Sequence, residues 1–422
     1  MNFFLKPFHL ELQKELDRFA HRIERVDYIC EDASIADAYI KTWAKTQHAM
    51  VQKRRSSKTV IQYLKKIESR GFTSEGILGT VSREIVKLLG SFGFLKHCVP
   101  SKYGGVSARL DPLALCVIRR ALGEKSTLVD VMFAMQGLGS CPITLAGSEA
   151  LKKEILPDVA RGKLIAAIAI TEPNAGSDMM SIETTAQKKD NAYLLNGVKT
   201  LISNAGIADF YVVLARTGER DGKPALGAFV VDRASPGLSL SRKIELAAPH
   251  PIGEITFRNV EVPASNLLGK EDEGFTIVVD TLDLFRTSVG AAALGMATRA
   301  LKEALDHTAV RRQFGRLLSD FQSVRFDLAE MATSLRASEL MVFAAAHERA
   351  EGTAGPAASM AKLYATEAAQ QIIDRAVQLH GGLGVVRGTP VERLYRSIRA
   401  LRIYEGTSEI QKVIIARHLL GG

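Results

Sequence analysis

The chain has 422 residues, a formal net charge of +9, and 46% hydrophobic and 24% charged content. That length exceeds what one core usually carries and points to two or three packed domains, and the absence of repeats and biased segments excludes a low-complexity or solenoid architecture. No apolar run approaches the roughly 20 residues needed to cross a bilayer, so no membrane span is expected.

The opening stretch, "MNFFLKPFHLELQKELDRF", is too acidic after its first residues for a transit peptide, and it lacks the small-residue cleavage site of a signal peptide. Cytoplasmic location is the resulting expectation. "LELQKELDRFAHRIERV" places Leu10, Leu12, Leu16, Phe19 and Ile23 largely at three- and four-residue steps, the period of an amphipathic helix. A basic run follows at residues 52–66, and a second at 386–402. With no zinc finger, RNP-like aromatic motif or helix-turn-helix beside them, nucleic acid is not expected. Solvated helical faces, together with a negatively charged cofactor or phosphorylated substrate handle, account for the charge.

"VSREIVKLLGSFGF" repeats the helical period through Val81, Ile85, Leu88 and Leu89, with the glycines after it as a stop. "PSKYGGVS" is a turn cluster. "LDPLALCVIRRALGE" begins another helix with Pro112 in its first turn, and "SEALKKEILPDVARG" closes the helical region. Cys30, Cys98, Cys116 and Cys141 show no CxxC spacing, so buried thiols are expected rather than disulfides or zinc. No HxxxH or HExxH pair occurs, and no metal site is expected.

From about residue 163 to 266 the period changes. "AYLLNGVKTLISN", "ADFYVVLART", "LGAFVVD", "LSLSRKIEL" and "GEITFRNVEV" are short β-rich runs punctuated by Gly, Asn, Asp and Pro, as in an antiparallel barrel or sandwich. From Gly274 onward the chain is again helical, Ala/Leu-rich, with few breakers before Gly381. The fold class is therefore α+β, mostly α, in three domains: 1–165, with 1–80 atypical; 166–270; and 271–422.

Four segments carry chemistry. "AIAITEPNAGSD" is a strand followed by a polar turn whose backbone amides can face a ligand. "RRQFG" sets Arg311 near a helix end, where a guanidinium can clamp a pyrophosphate or simply lie on the surface. "LHGGLGV" has paired glycines that permit close backbone approach, and equally a helix-ending turn. "RIYEGTSEIQ" sets one carboxylate, Glu405, between an aromatic residue and a Gly-Thr-Ser turn that can cap the last helix through Thr407 or Ser408.

Taken in order, "VPSKYGG", "AITEPNAGSD", "LNGVKTLISN", "VPASNLLG", "RRQFGRLLSDFQSV", "HGGLG" and "YEGTSEIQ" resemble the acyl-CoA dehydrogenase family from about Thr80 to the C-terminus. The resemblance implies an N-terminal helical domain, a central β-barrel and a C-terminal four-helix bundle, with FAD between the last two and a neighbouring subunit. It also implies a homotetramer or homodimer. Glu405 matches the family's catalytic base, which takes the α-proton of an acyl thioester while the β-hydrogen leaves as hydride to the flavin. Some members place the base instead just before a matching arginine on an earlier helix; here that position is Phe285, which cannot accept a proton.

Other roles follow by position. Ile168, Ile170, Thr171 and Ser177 match the strand and loop lining flavin and thioester, and Leu201, Ile202 and Ser203 match the tripeptide beside the flavin ring. Ser203 stands at the hydroxyl that bonds the ring's reactive edge. Arg311, Phe314 and Gln322 match cross-subunit FAD contacts, Gln378, Gly381 and Gly382 the adenine side, and Thr407 a phosphate contact, with Glu409 also on the cofactor side. Asp283 and Arg286 match positions meeting the CoA portion, and Gly406 joins Ser177 on the substrate side. The resemblance implies an acyl-CoA or an acyl carrier protein thioester as substrate and leaves the acceptor open between an electron-transfer flavoprotein and, in an oxygen-using flavin oxidase, oxygen; a non-enzymatic scaffold is the remaining reading. Leu201 replaces the usual Trp beside the flavin, and "LAAPHPIGEITF" replaces a Gly-x-Arg-x-Ser-x-Thr stretch.

Overall fold

The computed structural model describes residues 4–23, 74–353 and 355–421. The basic run at 52–66, Cys30 and Trp43 lie outside these. Five helices form the first layer: α1 (Pro7–Ile23), α2 (Ser74–Ser91), α3 (Pro112–Lys125), α4 (Thr127–Ala146) and α5 (Glu149–Ala160). The expected apolar stripe of α1 is buried at Leu12, Leu16, Phe19 and Ile23. Asp111 caps α3 by accepting from the Leu113 amide at 2.9 Å, with Pro112 in the first turn where its missing N–H costs nothing. The His9 ring joins the other Asp111 oxygen at 2.7 Å and ties α1 to this cap. Cys98, Cys116 and Cys141 are buried free thiols.

The expectation for apolar runs is corrected by α4, which by length and composition is apolar enough to cross a membrane. Most of it is buried as the central helix of this layer, and it carries Asp130 and Gln136 on its buried surface. Gln136 donates to the Leu164 carbonyl at 2.8 Å and accepts from the Ala166 amide at 2.8 Å, so a polar side chain inside an apolar helix fixes where the sheet begins.

The middle of the chain forms one eight-stranded sheet: β1 (Ala166–Ala169), β2 (Thr185–Lys189), β3 (Ala192–Ser203), β4 (Phe210–Arg220), β5 (Lys223–Asp232), β6 (Leu238–Ile244), β7 (Ile252–Pro263) and β8 (Leu267–Leu268). Its order is β6-β7-β3-β2-β4-β5-β8, with β1 beside β4. The expectation of purely antiparallel pairing is corrected at one edge of β4, where β1 (Ile168 opposite Val212) and then β2 (Thr185 opposite Arg216) run parallel to it. Alternation decides the two faces. Tyr211, Val213 and Ala215 join Tyr193, Leu195, Phe229 and Val231 in the barrel's own core, while Phe210 and Val212 face the helices.

The last region contains α6 (Gly274–Val310), a hairpin of β9 (Arg312–Gln313) and β10 (Arg316–Leu317), α7 (Gln322–Ala350), α8 (Ala357–His380), α9 (Pro390–Leu401) and α10 (Ser408–Leu419). The long α6, α7 and α8 pack together, and α9 and α10 complete the bundle against α8. Small residues let α6 approach α3 closely: a Cβ added at Gly295 would sit 2.1 Å from the Arg120 carbonyl oxygen. A rigid backbone cannot yield there. Gly295→Val is therefore expected to lower stability by about 1–3 kcal/mol or more, read as a fall in the denaturant midpoint; an unchanged midpoint would show that the two helices separate freely.

Candidate active site

The turn after α9 is built around Glu405. Both Glu405 (φ 53°) and Gly406 (φ 90°) are left-handed, a conformation costing a non-glycine residue of order 1 kcal/mol or more. Gln411, in the first turn of α10, holds this shape by donating to the carbonyls of Glu405 at 3.3 Å and Gly406 at 2.9 Å. A Cβ on Gly406 would meet that same amide at 2.5 Å. Lys362 of α8 also donates to the Gly406 carbonyl, at 2.8 Å. Thr407 accepts from the Ile410 amide at 3.3 Å, so the capping reading of this segment holds alongside whatever else Thr407 does.

The Glu405 side chain is turned inward, with 6% exposure. Neither carboxyl oxygen has a hydrogen-bond partner among the described residues. Its ion-pair neighbour is Arg119 of α3, with Nη1 at 3.8 Å from Oε1. Arg119 is itself buried and spends its fork elsewhere: Nε and Nη2 donate to Asp130 at 3.0 and 2.9 Å, and Nη1 donates to the Ser288 hydroxyl at 3.1 Å. Burial pushes the Glu405 carboxyl above the usual range, and Arg119, Lys362 and Arg286 pull it partly back. A carboxylate that is buried, unbonded and of raised basicity is what proton abstraction from a weak carbon acid requires.

α6 joins this turn to the sheet. Near its start Val278 shares an apolar cluster with Ala175 and Ile182 of the segment after β1, against which Phe275, Leu282, Ile170 and Met180 pack; Asp283, Phe285, Arg286 and Ser288 follow directly. Asp283 and Arg286 pair directly, with Arg286 buried and Asp283 partly exposed. Phe285, at the alternative base position, is fully buried.

A buried ion pair fastens the loop after β1. Lys199 of β3 donates to Glu172 at 2.7 Å and to the Ile170 carbonyl at 2.8 Å, and the Glu183 and Thr184 amides donate to Glu172 at 2.6 and 3.0 Å. Pro173, Asn174, Gly176 and Ser177 are left exposed at its tip, and Ile168, Ile170 and Thr171 are half-buried. Beyond Lys199 the register of β3 shifts, and Leu201 is extruded with φ 55° and 51% exposure. It lines a cleft of about 520 Å³ with Pro173, Thr200, Arg242, Lys243 and Glu254. Ile202 turns into the barrel core, so only its backbone can meet a ligand. The Ser203 hydroxyl is within 2.7 Å of His250 Nε2, a ring whose burial lowers its pKa to about 4 and keeps it neutral.

The remaining sequence-selected residues lie on the outside of the helical bundle. Arg311, Phe314 and Gln322 are exposed around the β9–β10 hairpin, Phe314 at 92% and with φ 52°. Gln378 is exposed on α8, and Gly381 and Gly382 are exposed in the turn that follows. Glu409 is exposed in the first turn of α10. These surfaces are distant in sequence from the Leu201 cleft. The cleft presents backbone, the Thr200 hydroxyl and two cations offset by Glu245 and Glu254, with Arg242 paired to Glu254 at 3.4 Å, and the bundle presents glycine backbone, Arg311 and the exposed Phe314 ring, edge-on to Phe321. Arg119, Asp130, Ser288, Lys362 and His250 were not singled out from sequence. The available signal was a charge on an apolar helix face, Arg119 falling in step with Leu115 and Leu122, and Asp130 within "TLVDVMFAM".

Comparison with known proteins gives three matches to domains of one family: acyl-CoA dehydrogenase N-terminal domain over residues 62–163, middle domain over 167–260 and C-terminal domain over 272–420. The chain is 40% identical over 344 residues to an acyl-CoA dehydrogenase of Bacillus subtilis, covering 80% of this chain and 90% of that one. It is 38% identical over 342 residues to a 3-(aryl)acrylate reductase of Clostridium sporogenes, with 80% and 90% covered. The solved FAD complex of PigA superposes over 99% of both chains with a TM-score of 0.81 and 28% identity.

Proposed function

The chain belongs to the acyl-CoA dehydrogenase family of FAD-dependent oxidoreductases, and from that premise we propose that Glu405 takes a proton from the α-carbon of an acyl thioester, which leaves as a trans-2-enoyl thioester. The observation that carries this reading is the inward Glu405 carboxylate with both oxygens unbonded. FAD, when bound, supplies the acceptor for the β-hydrogen as hydride. The chain's own residues do the rest. The left-handed turn presents Glu405, and the dry surroundings keep the carboxylate basic enough to meet a weak carbon acid.

The fit to FAD rests on the cleft beside Leu201 and the exposed backbone near it. Ile168, Ile170, Thr171, Ser177, Leu201 and the Ile202 backbone would line the ring and thioester. Ser203 would meet the ring's edge with its oxygen steadied by His250; a ring N–H donated by His250 leaves the hydroxyl proton free to point outward. Thr407 and Glu409 would lie on the phosphate side, and Gly406 and the Asp283–Arg286 pair on the substrate side. The exposed Arg311, Phe314 and Gln322 suit contacts to FAD held by a second copy, with Gln378, Gly381 and Gly382 on the adenine side, so a homodimer or homotetramer is part of the proposal. An electron-transfer flavoprotein is the proposed acceptor.

Anaerobic bleaching of the bound flavin across acyl-CoA thioesters of different length tests this reading, and the same acyl groups on a carrier protein test the alternative handle. Bleaching by at least one thioester is expected; none by any would overturn it. The kinship with an acrylate reductase supports a second direction, in which Glu405 in its acid form returns the α-proton to an enoyl substrate. Microscopic reversibility gives it the same residue, and reoxidation of the reduced flavin by an enoyl thioester would reveal it.

A further inference from the structure

Resting on Glu405 as the base, we infer that Arg119 is a positioning residue for the reaction. Its guanidinium, locked by Asp130 and Ser288, keeps the Glu405 carboxyl ionised and oriented without binding either of its oxygens. At 3.8 Å, Nη1 is too far from Oε1 for a hydrogen bond, so no lone pair of the base is consumed. Both side chains are nearly sealed from solvent, at 1% and 6% exposure, so the attraction is weakly screened. Asp130 and Ser288 hold the fork back by three hydrogen bonds; a guanidinium free to advance would close on the carboxylate and block it.

The groups facing Glu405 from each surrounding element are Arg119 on α3, Asp130 on α4, Arg286 on α6, Lys362 on α8 and Tyr404 beside it in the turn. Lys362 is committed to the Gly406 carbonyl and Arg286 to Asp283. The described ion-pair partner of Glu405 is Arg119. Around this cluster Asp283 pairs with Arg286 and Glu367 acts on Lys362, so proton abstraction by Glu405 removes one negative charge that faces Arg119, and return of the proton to solvent restores it.

The test is the pH dependence of flavin reduction by a thioester that bleaches the parent. Removing Arg119 alone would leave Asp130 buried without a partner, so the informative variant is the double change Arg119→Met with Asp130→Leu, which refills the core with apolar volume. Its rate–pH midpoint is expected to move up by about one pH unit, less than the loss of an opposite charge alone would give, because the weaker opposing effect of Asp130 is removed with it. At a fixed pH below the midpoint, one unit is a tenfold slower reaction. Asp130→Asn, which keeps Arg119, is expected to move the midpoint down. Opposite movements are a signature that damage to packing cannot produce. Parental midpoints in both variants, whatever their amplitudes, would overturn the inference. Failure of the underlying reading is separately visible, because Glu405→Gln would then reduce its flavin at the parental rate.

Discussion

Glu405→Gln is expected to slow anaerobic flavin reduction by an acyl thioester about 10²- to 10⁴-fold while leaving flavin content unchanged. The substitution keeps the shape of a side chain whose oxygens have no partner among the described residues, and it removes the capacity to accept a proton. It also relieves the burial of a charge, so its melting temperature should equal or exceed that of the parent. The positive φ at Glu405 is unaffected, because the turn is held through carbonyls by Gln411 and Lys362. A slow variant with less flavin or lower stability would point to a structural role instead.

The second large effect is on stability. Lys199→Met should destabilise the fold by about 3–5 kcal/mol at neutral pH, since it strands Glu172 as a buried charge. Burial alone would raise the Glu172 carboxyl, but hydrogen bonds from Lys199, Thr184 and Glu183 hold it below the usual range. In the parent its contribution is therefore present above the unfolded-state pKa and lost as pH falls through the lower folded value. Without Lys199 the sign reverses: the stranded carboxyl's pKa rises, so the variant gains stability on acidification as Glu172 takes up a proton.

Lys199 itself has its pKa lowered to about 8 by burial, against the pull of Glu172. The native parent holds fewer protons on Lys199 than the unfolded chain between about pH 8 and about pH 10.4, so this group makes stability rise with pH across that window. Lys199→Met should lack that rise. Denaturant melts at several pH values check both signs, and equal parent-to-variant differences at all of them would contradict the account.

Most of the architecture was legible because period and punctuation agree with packing. α1, α3 and the long runs of β3, β4, β5 and β7 fall where apolar spacing and turn residues put them. The parallel placement of β1 and β2 along β4 was not legible, since pairing partners far apart in sequence leave no local mark. α4 was the other omission. Its nearly uniform apolar composition has no polar face from which to read a period, because the helix is enclosed by its neighbours.

At the site, the ordered motifs marked the turn and the loops. They did not mark what makes the carboxylate work. Arg119 and Asp130 are eleven residues apart on different helices, and only the crossing of α3, α4 and α6 brings them to Glu405. Lys199 could have been found, since Tyr193, Leu195 and Lys199 share the inward register of β3, where a lysine demands a buried acid. His250 could not, as the contact with Ser203 depends on how the β6–β7 connection folds back.

Proton removal can be isolated from hydride transfer with a thioester that has α-hydrogens and no β-hydrogen, such as 3,3-dimethylbutyryl-CoA, incubated with the flavin-loaded protein in deuterium oxide. Nuclear magnetic resonance of the recovered thioester should show deuterium entering the α-position with the parent and at least a hundredfold more slowly with Glu405→Gln. Equal exchange in the two proteins would mean that another group takes the proton, and the assignment of Glu405 would be wrong.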